Sequence, residues 1–166
     1  MSSIAKLEGL TLNHVSAALV LGTTSTYTTT VTTTVSINGK FGTTLGAQTN
    51  TATPTTDAST LAAFVPLTAN QATVIVFGVT AAGAIAMMQG SIVPTEIGVT
   101  TTAGAFINAP QFPAIPETVC PIAYCLVRTS PTGSAFTAGT TSWTASGITS
   151  STAVNISQLP NRPQTS

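Results

Sequence analysis

Between Ser25 and Ile37 the odd positions carry Tyr27, Val31, Val35 and Ile37, while every even position is threonine or serine. Successive side chains of an extended strand point to opposite faces, so this alternation builds one apolar face and one hydroxyl face. Val31 and Val35 also stand at helical i,i+4 spacing. Threonine and valine lose rotamer freedom on a helix, however, and the strand is favoured. Asn38-Gly39 follows directly. Two residues that tolerate positive φ make the two-residue turn of a tight hairpin, and Lys40-Phe41 open the return strand. The chain commits early to β-structure.

The rest of the sequence continues in the same chemistry. Threonine fills 35 of the 166 positions. Only Lys6, Glu8, Lys40, Asp57, Glu96, Glu117, Arg128 and Arg162 are ionic, 5% of the chain, against roughly 25% in ordinary soluble domains. Hydroxyls therefore replace charges as the polar component. Such a chain is too apolar and too weakly charged for intrinsic disorder. With no net charge it is prone to self-association, so its surface is expected to be covered by copies of itself or by partners. The length fits one domain that buries roughly 70% of its extended surface.

Further strands follow from local pattern. Val74–Val79, VIVFGV, is continuously apolar, as expected where both faces are covered. Thr80-Ala81-Ala82-Gly83 reads as a hairpin loop, and residues 84–93 form the partner strand. Leu61–Pro66 and Cys120–Arg128 are expected strands, the second ending in the Ser130-Pro131-Thr132-Gly133 turn. Ile148–Ile156 alternates again, with Ile148, Val154 and Ile156 placed on one face. Residues 46–59 are polar and without period, a long loop or arm. PQFPAIP (110–116) should lie extended across the domain, anchored by Phe112 and Ile115. The segment around residues 13–21 fits either a short helix or an edge strand.

About eight strands with frequent turn signals predict an all-β fold, a single β-sandwich of jelly-roll-like type. Its expected organisation is an N-terminal arm or interface segment (1–22), the sandwich (23–157) and an extended C-terminal tail (158–166).

Reactive groups are scarce. Cys120 and Cys125 are five apart, which on a regular strand places them on opposite faces; they read as buried thiols acting as small hydrophobes. One histidine and two cysteines do not supply a zinc ligand set. His14 is the sole imidazole available as a base for a Ser or Cys nucleophile. The four acids form no recognisable pair. Gly78 and Gly83 have the glycine spacing of a phosphate-binding loop, but Ala84 and Ile85 stand where Lys and Ser or Thr are needed. Four scattered cations make no nucleic-acid surface, and Trp143, Tyr27 and Tyr124 read as core or interface fill. Residues 72–88 lack charge but break at the hairpin loop, so no membrane span is expected. Val15–Gly22 resembles a short signal core but lacks its flanks. Asn155-Ile156-Ser157 matches the glycosylation triplet, a chance match in a chain so rich in serine and threonine. No catalytic, cofactor or metal residue is assigned.

The succession NGKF (38–41), AQTNTATPTTDAST (47–60), VIVFGVTAAGAIAMMQGSIV (74–93), APQFPAIPE (109–117), PIAYCLVRTS (121–130) and SQLPNRPQ (157–164) resembles a group of small virion proteins of tailed bacteriophages. The resemblance covers about residues 37–164. It implies a non-enzymatic decoration, or cement, protein on the capsid exterior: a homotrimer bound to the phage major capsid protein and assembled in the bacterial cytoplasm. A head-fibre or tail-associated receptor-binding module is the alternative, and a small hydrolase using His14 with a Cys or Ser is a third. On the first reading Tyr27, Val31, Val35, Phe77, Phe112 and Arg162 are the expected oligomer or capsid contacts.

Overall fold

A computed structural model of the chain describes residues 10–165. Those residues form β-strands joined by turns and irregular segments, with no helix among them. In chain order the strands are β1 (Leu12–Asn13), β2 (Leu19–Leu21), β3 (Thr26–Thr29), β4 (Thr33–Ile37), β5 (Lys40–Leu45), β6 (Gln48–Ala52) and β7 (Thr56–Asp57). They continue as β8 (Ala62–Ala63), β9 (Gln71–Thr80), β10 (Ile85–Gln89), β11 (Val93–Pro94), β12 (Val119–Thr129), β13 (Ile148–Ser150) and β14 (Val154–Asn155).

The organising element is the long antiparallel pair β9/β12. Both strands are buried along almost their whole length, which is why β9 reads as an unbroken apolar run. β10 folds back on β9 through the Thr80–Ala84 turn, where Gly83 has a φ of 77°. The remaining strands extend this pair into an eight-stranded sheet of order β13-β12-β9-β10-β7-β8, with β11 on β9 and β14 on β12. All its pairings are antiparallel except β7/β10.

Alternation along β9 separates two cores. Ile75, Phe77 and Val79 enter the larger one, together with Tyr27, Val35, Leu45, Phe136 and Trp143. Val74 and Val76 enter the smaller one with Met88, Tyr124 and Leu126. The small core is closed by half-buried Phe112, Ile115, Val154 and Leu159, so the proline-rich segment does lie across the domain, anchored as its spacing suggests. Phe112 meets the Tyr124 ring edge-on at 5.1 Å. The larger core is closed by two three-stranded sheets, β1-β4-β5 and β2-β3-β6.

The structure is an all-β domain of several sheets, and it corrects the expected jelly-roll sandwich: the strands divide over three sheets, none of which closes into a barrel or sandwich. The reason begins in the threonine-rich stretch. Residues 25–37 form two strands, β3 and β4, in different sheets, interrupted at Thr30–Thr32. Threonine hydroxyls take backbone bonds that a regular ladder would have used. The amides of Gln48 and Asn50 donate to Thr29 Oγ1 and Thr28 Oγ1, both at 3.0 Å, and the β3/β6 register slips between Tyr27 and Thr29. Thr33 Oγ1 donates to Asn13 Oδ1 at 2.8 Å. The same stretch is pulled two ways.

Other expectations resolve in detail. Asn38 and Gly39 have φ of 50° and 77°, the turn expected between β4 and β5. Residues 46–59 are not a loop throughout: β6 and β7 lie within them, separated by Pro54, which has no N–H to donate. Ile148 packs on the larger core while Val154 and Ile156 pack on the smaller, so these three do not share a face. Residues 1–9 of the expected N-terminal arm lie outside the described residues. Its remainder joins the body through β1 and β2, with Ala17 and Leu19 fully buried. In the C-terminal segment Pro163 is buried, and the Gln164 amide donates to the Tyr124 hydroxyl at 3.3 Å. No described helix is long and apolar enough to cross a membrane.

Candidate functional site

His14 follows β1 at the surface. Its Nε2 lies 2.7 Å from Ser36 Oγ on β4, and its ring meets Phe41 edge-on at 5.1 Å. This is the one imidazole–hydroxyl pair, and it supplies half of what nucleophilic catalysis requires. Neither residue lines any of the cavities described below, and no carboxylate bonds the imidazole among the described residues.

The cysteines stand elsewhere, buried in β12. Their placement overturns the expectation from spacing. A bulge between Pro121 and Ala123 adds one residue to β12 opposite β9. Parity flips there, so Cys120 and Cys125 both face the larger core instead of opposite sides. Burial pushes the Cys120 thiol up to about 12 and drives Cys125 further upward. Both remain protonated thiols at neutral pH, unsuited to nucleophilic attack. No group of three or more His, Cys, Asp or Glu able to hold a metal occurs among the described residues.

Two of the six charged residues in the described region, Asp57 and Arg128, are structural ties. Asp57 is buried, and its Oδ1 accepts from the Ser59 amide at 2.7 Å and the Ser59 hydroxyl at 2.6 Å. Its Oδ2 accepts from the Gln89 amide at 3.2 Å. One carboxylate thereby fixes the β7–β8 turn to β10. Arg128, half-buried on β12, donates from Nη1 to Gly104 O at 2.8 Å and lies 5.0 Å from the Phe106 ring centre. It fastens the excursion that leaves the sheet after β11 and returns before the proline-rich segment. Gly104 permits that return, because a side chain there would collide with the Glu96 carbonyl.

The six expected contact residues scatter. Tyr27, Val35 and Phe77 are fully buried in this chain's own larger core. Tyr27 and Trp143 flank Phe77 with centroids 6.4 and 6.2 Å away. Phe112 is taken up by Tyr124. Val31 lies in the interruption between β3 and β4, and Arg162 is on the surface of the C-terminal segment; only these two are exposed. Apart from Val31, the apolar face of the Tyr27–Ile37 stretch thus serves the interior, since the sheets close the core with it.

Other residues carry the exposed apolar surface. Ile97 (83% exposed), Val99 (76%) and Ile107 stand on the excursion held by Arg128, whose backbone is bridged at Thr95/Phe106 and Val99/Thr102. Leu61 (83%) and Val65 flank β8, the outer edge of the large sheet, and Phe41 (68%) stands on edge strand β5. Leu61 holds a φ of 58°, a conformation leucine adopts at a cost. The signal in the sequence was faint: large apolar residues in a Gly- and Thr-rich stretch with no period tying them to a core.

Among the cavities lined from different sheets or segments, two lie beside β2 and β12. One of about 390 Å³ opens between β2 and residues 150–155, with Leu19, Leu21, Trp143 and Ala153 in its wall. The other, about 200 Å³, holds Arg128.

No known protein family model, no curated protein and no solved structure matches this chain. The terms virion, capsid, decoration and cement are corrected accordingly, since no match attaches them to this chain.

Proposed function

We propose that this chain is a non-catalytic structural module that works by having its surface covered, assembling with copies of itself and seating on a larger protein partner. The observation that carries this reading is the exposed apolar set Ile97, Val99, Ile107, Leu61, Val65 and Phe41 on a chain with so few charges. Isolated exposed apolar side chains are ordinary, but a group of them on one excursion marks a surface made to be covered. Covering it strands no ionic group, because Glu96 is the only charged residue between Gln89 and Gln111.

A trimer is the specific stoichiometry to test first, since a closed ring buries such faces without leaving an open end. The His14–Ser36 pair is on this reading a surface hydrogen bond that holds β1 to β4. Native mass spectrometry of the full chain tests the proposal. A discrete multimer is the expected result, and a monomer at every accessible concentration would contradict it.

A further inference from the structure

The backbone of β2 alternates in where its polar groups point. The Gly22 amide donates to Thr26 O at 2.9 Å, and the β2/β3 register sets Val20 opposite Thr28 and Leu21 opposite Tyr27. Bonded and non-bonded pairs alternate along an antiparallel ladder. Val20 therefore exchanges its bonds with β3, while Leu19 and Leu21 turn both N–H and C=O to the outer edge. β2 is the last strand of its sheet on that side. Leu19 is satisfied there by the Asn155 carboxamide, which accepts from its N–H at 2.7 Å and donates to its C=O at 3.1 Å. Leu21 carries the same two groups on the same edge, and no described residue bonds either of them.

That edge opens on the cavity of about 390 Å³ between β2 and residues 150–155, a volume within the usual range of ligand sites. Leu19, Leu21 and Asn155 all line it, Ala18, Val20 and Ala153 add apolar wall, and no charged residue takes part. The unpaired groups of Leu21 set the polar requirement: an acceptor and a donor side by side, without net charge. A primary carboxamide meets it, as Asn155 demonstrates one step along the edge. An added backbone strand meets it less well, because the Asn155 side chain already crosses to Leu19 where such a strand would have to continue.

We propose that this cavity seats the side-chain carboxamide of a glutamine or asparagine carried by an uncharged polypeptide segment. The site goes beyond the assembly reading and does not depend on it, since every lining residue comes from one chain.

The test is a titration of the full chain, followed by amide NMR, with the N-acetyl, N-methylamide derivatives of glutamine, asparagine, methionine and glutamate as probes. The glutamine or the asparagine derivative should give saturable shifts, with the Leu21 amide proton moving downfield. Methionine, similar in length but without the amide, and glutamate, without the donor, should bind about tenfold or more weakly than the better amide, as expected when a paired group is left unsatisfied. Leu21→Pro removes the outward N–H and no ladder bond, a place where an edge strand accepts proline; it should abolish the shifts. No saturable response to either amide, or an undiminished response in a folded Leu21→Pro, would overturn the proposal. Equal binding of the methionine derivative would mean that main chain is recognised, and would overturn it too. Should Leu21→Pro fail to fold, Ala153→Leu decides: filling the cavity should weaken the amide probes, and unchanged binding would overturn the site.

Discussion

Asn155 pairs its side-chain amide with both backbone groups of Leu19. Its Oδ1 accepts from Leu19 N at 2.7 Å, and its Nδ2 donates to Leu19 O at 3.1 Å. The side chain thus behaves as one more ladder rung, joining edge strand β2 to β14 on the large sheet. It also accounts for the Asn-Ile-Ser triplet: the nitrogen that glycosylation would modify is engaged in holding two sheets together.

Asn155→Ala removes both bonds and should lower stability by about 1–2 kcal/mol, at about 0.5–1.5 kcal/mol for each hydrogen bond. Asn155→Asp should cost more, because a carboxylate oxygen then faces the Leu19 carbonyl. Thermal melts of the two variants check the order; equal stability of wild type and Asn155→Asp would contradict the pairing.

Asp57 presents the converse case, an acceptor surrounded by donors. Asp57→Asn puts an amide nitrogen where an oxygen received Ser59 or Gln89 and should destabilise by about 1–3 kcal/mol. Urea unfolding reads this directly, and a shift within about 0.5 kcal/mol, the range of ordinary surface changes, would remove the carboxylate's assigned role.

The aromatic centre separates core from contact surface. Phe77→Ala should cost about 3–5 kcal/mol, a large share of a typical total of about 5–15 kcal/mol. Val31→Ser, at an exposed position, should stay within about 0.5 kcal/mol. Chemical denaturation of both variants compares them. Similar losses would mean that Val31 is packed and the division between β3 and β4 is misplaced.

Some of this was readable from residues alone. Asn38-Gly39 determined its turn because only a few residues accept that backbone, and the β9 run announced burial on both faces. The parity of Cys120 and Cys125 was not readable, since a bulge depends on how β12 meets β9 rather than on either strand's own sequence. Nor was the split of the Tyr27–Ile37 stretch, because a threonine hydroxyl reads the same whether it faces water or takes a backbone amide. Ile97, Val99 and Leu61 looked like any apolar residues near turns, and Arg128 looked like the end of a strand. Which of them faces solvent is a property of the tertiary arrangement.

The thiols give a pH prediction. An ordinary Cys ionises near 9.0, whereas burial holds Cys120 up to about 12. Above pH 9 the unfolded chain releases protons that the folded chain keeps, so the unfolded state binds fewer protons and stability falls as pH rises. The Cys120 contribution should be intact below pH 9 and decline between pH 9 and about 12. Native protein at pH 8 should resist a thiol-labelling reagent, and both cysteines should label after unfolding. Rapid labelling of the native chain would contradict their burial.

The central claim is that the apolar excursion is covered by another protein surface, beginning with a second copy. Sedimentation velocity of the wild type and an Ile97→Lys/Val99→Lys variant, each across a wide concentration range, tests it most directly. Both positions are highly exposed, so the substitutions should leave the fold intact, as circular dichroism and thermal melting would verify. The account expects a multimer for the wild type and a folded monomer for the variant. A wild type that stays monomeric, or a folded variant that assembles as before, would contradict it.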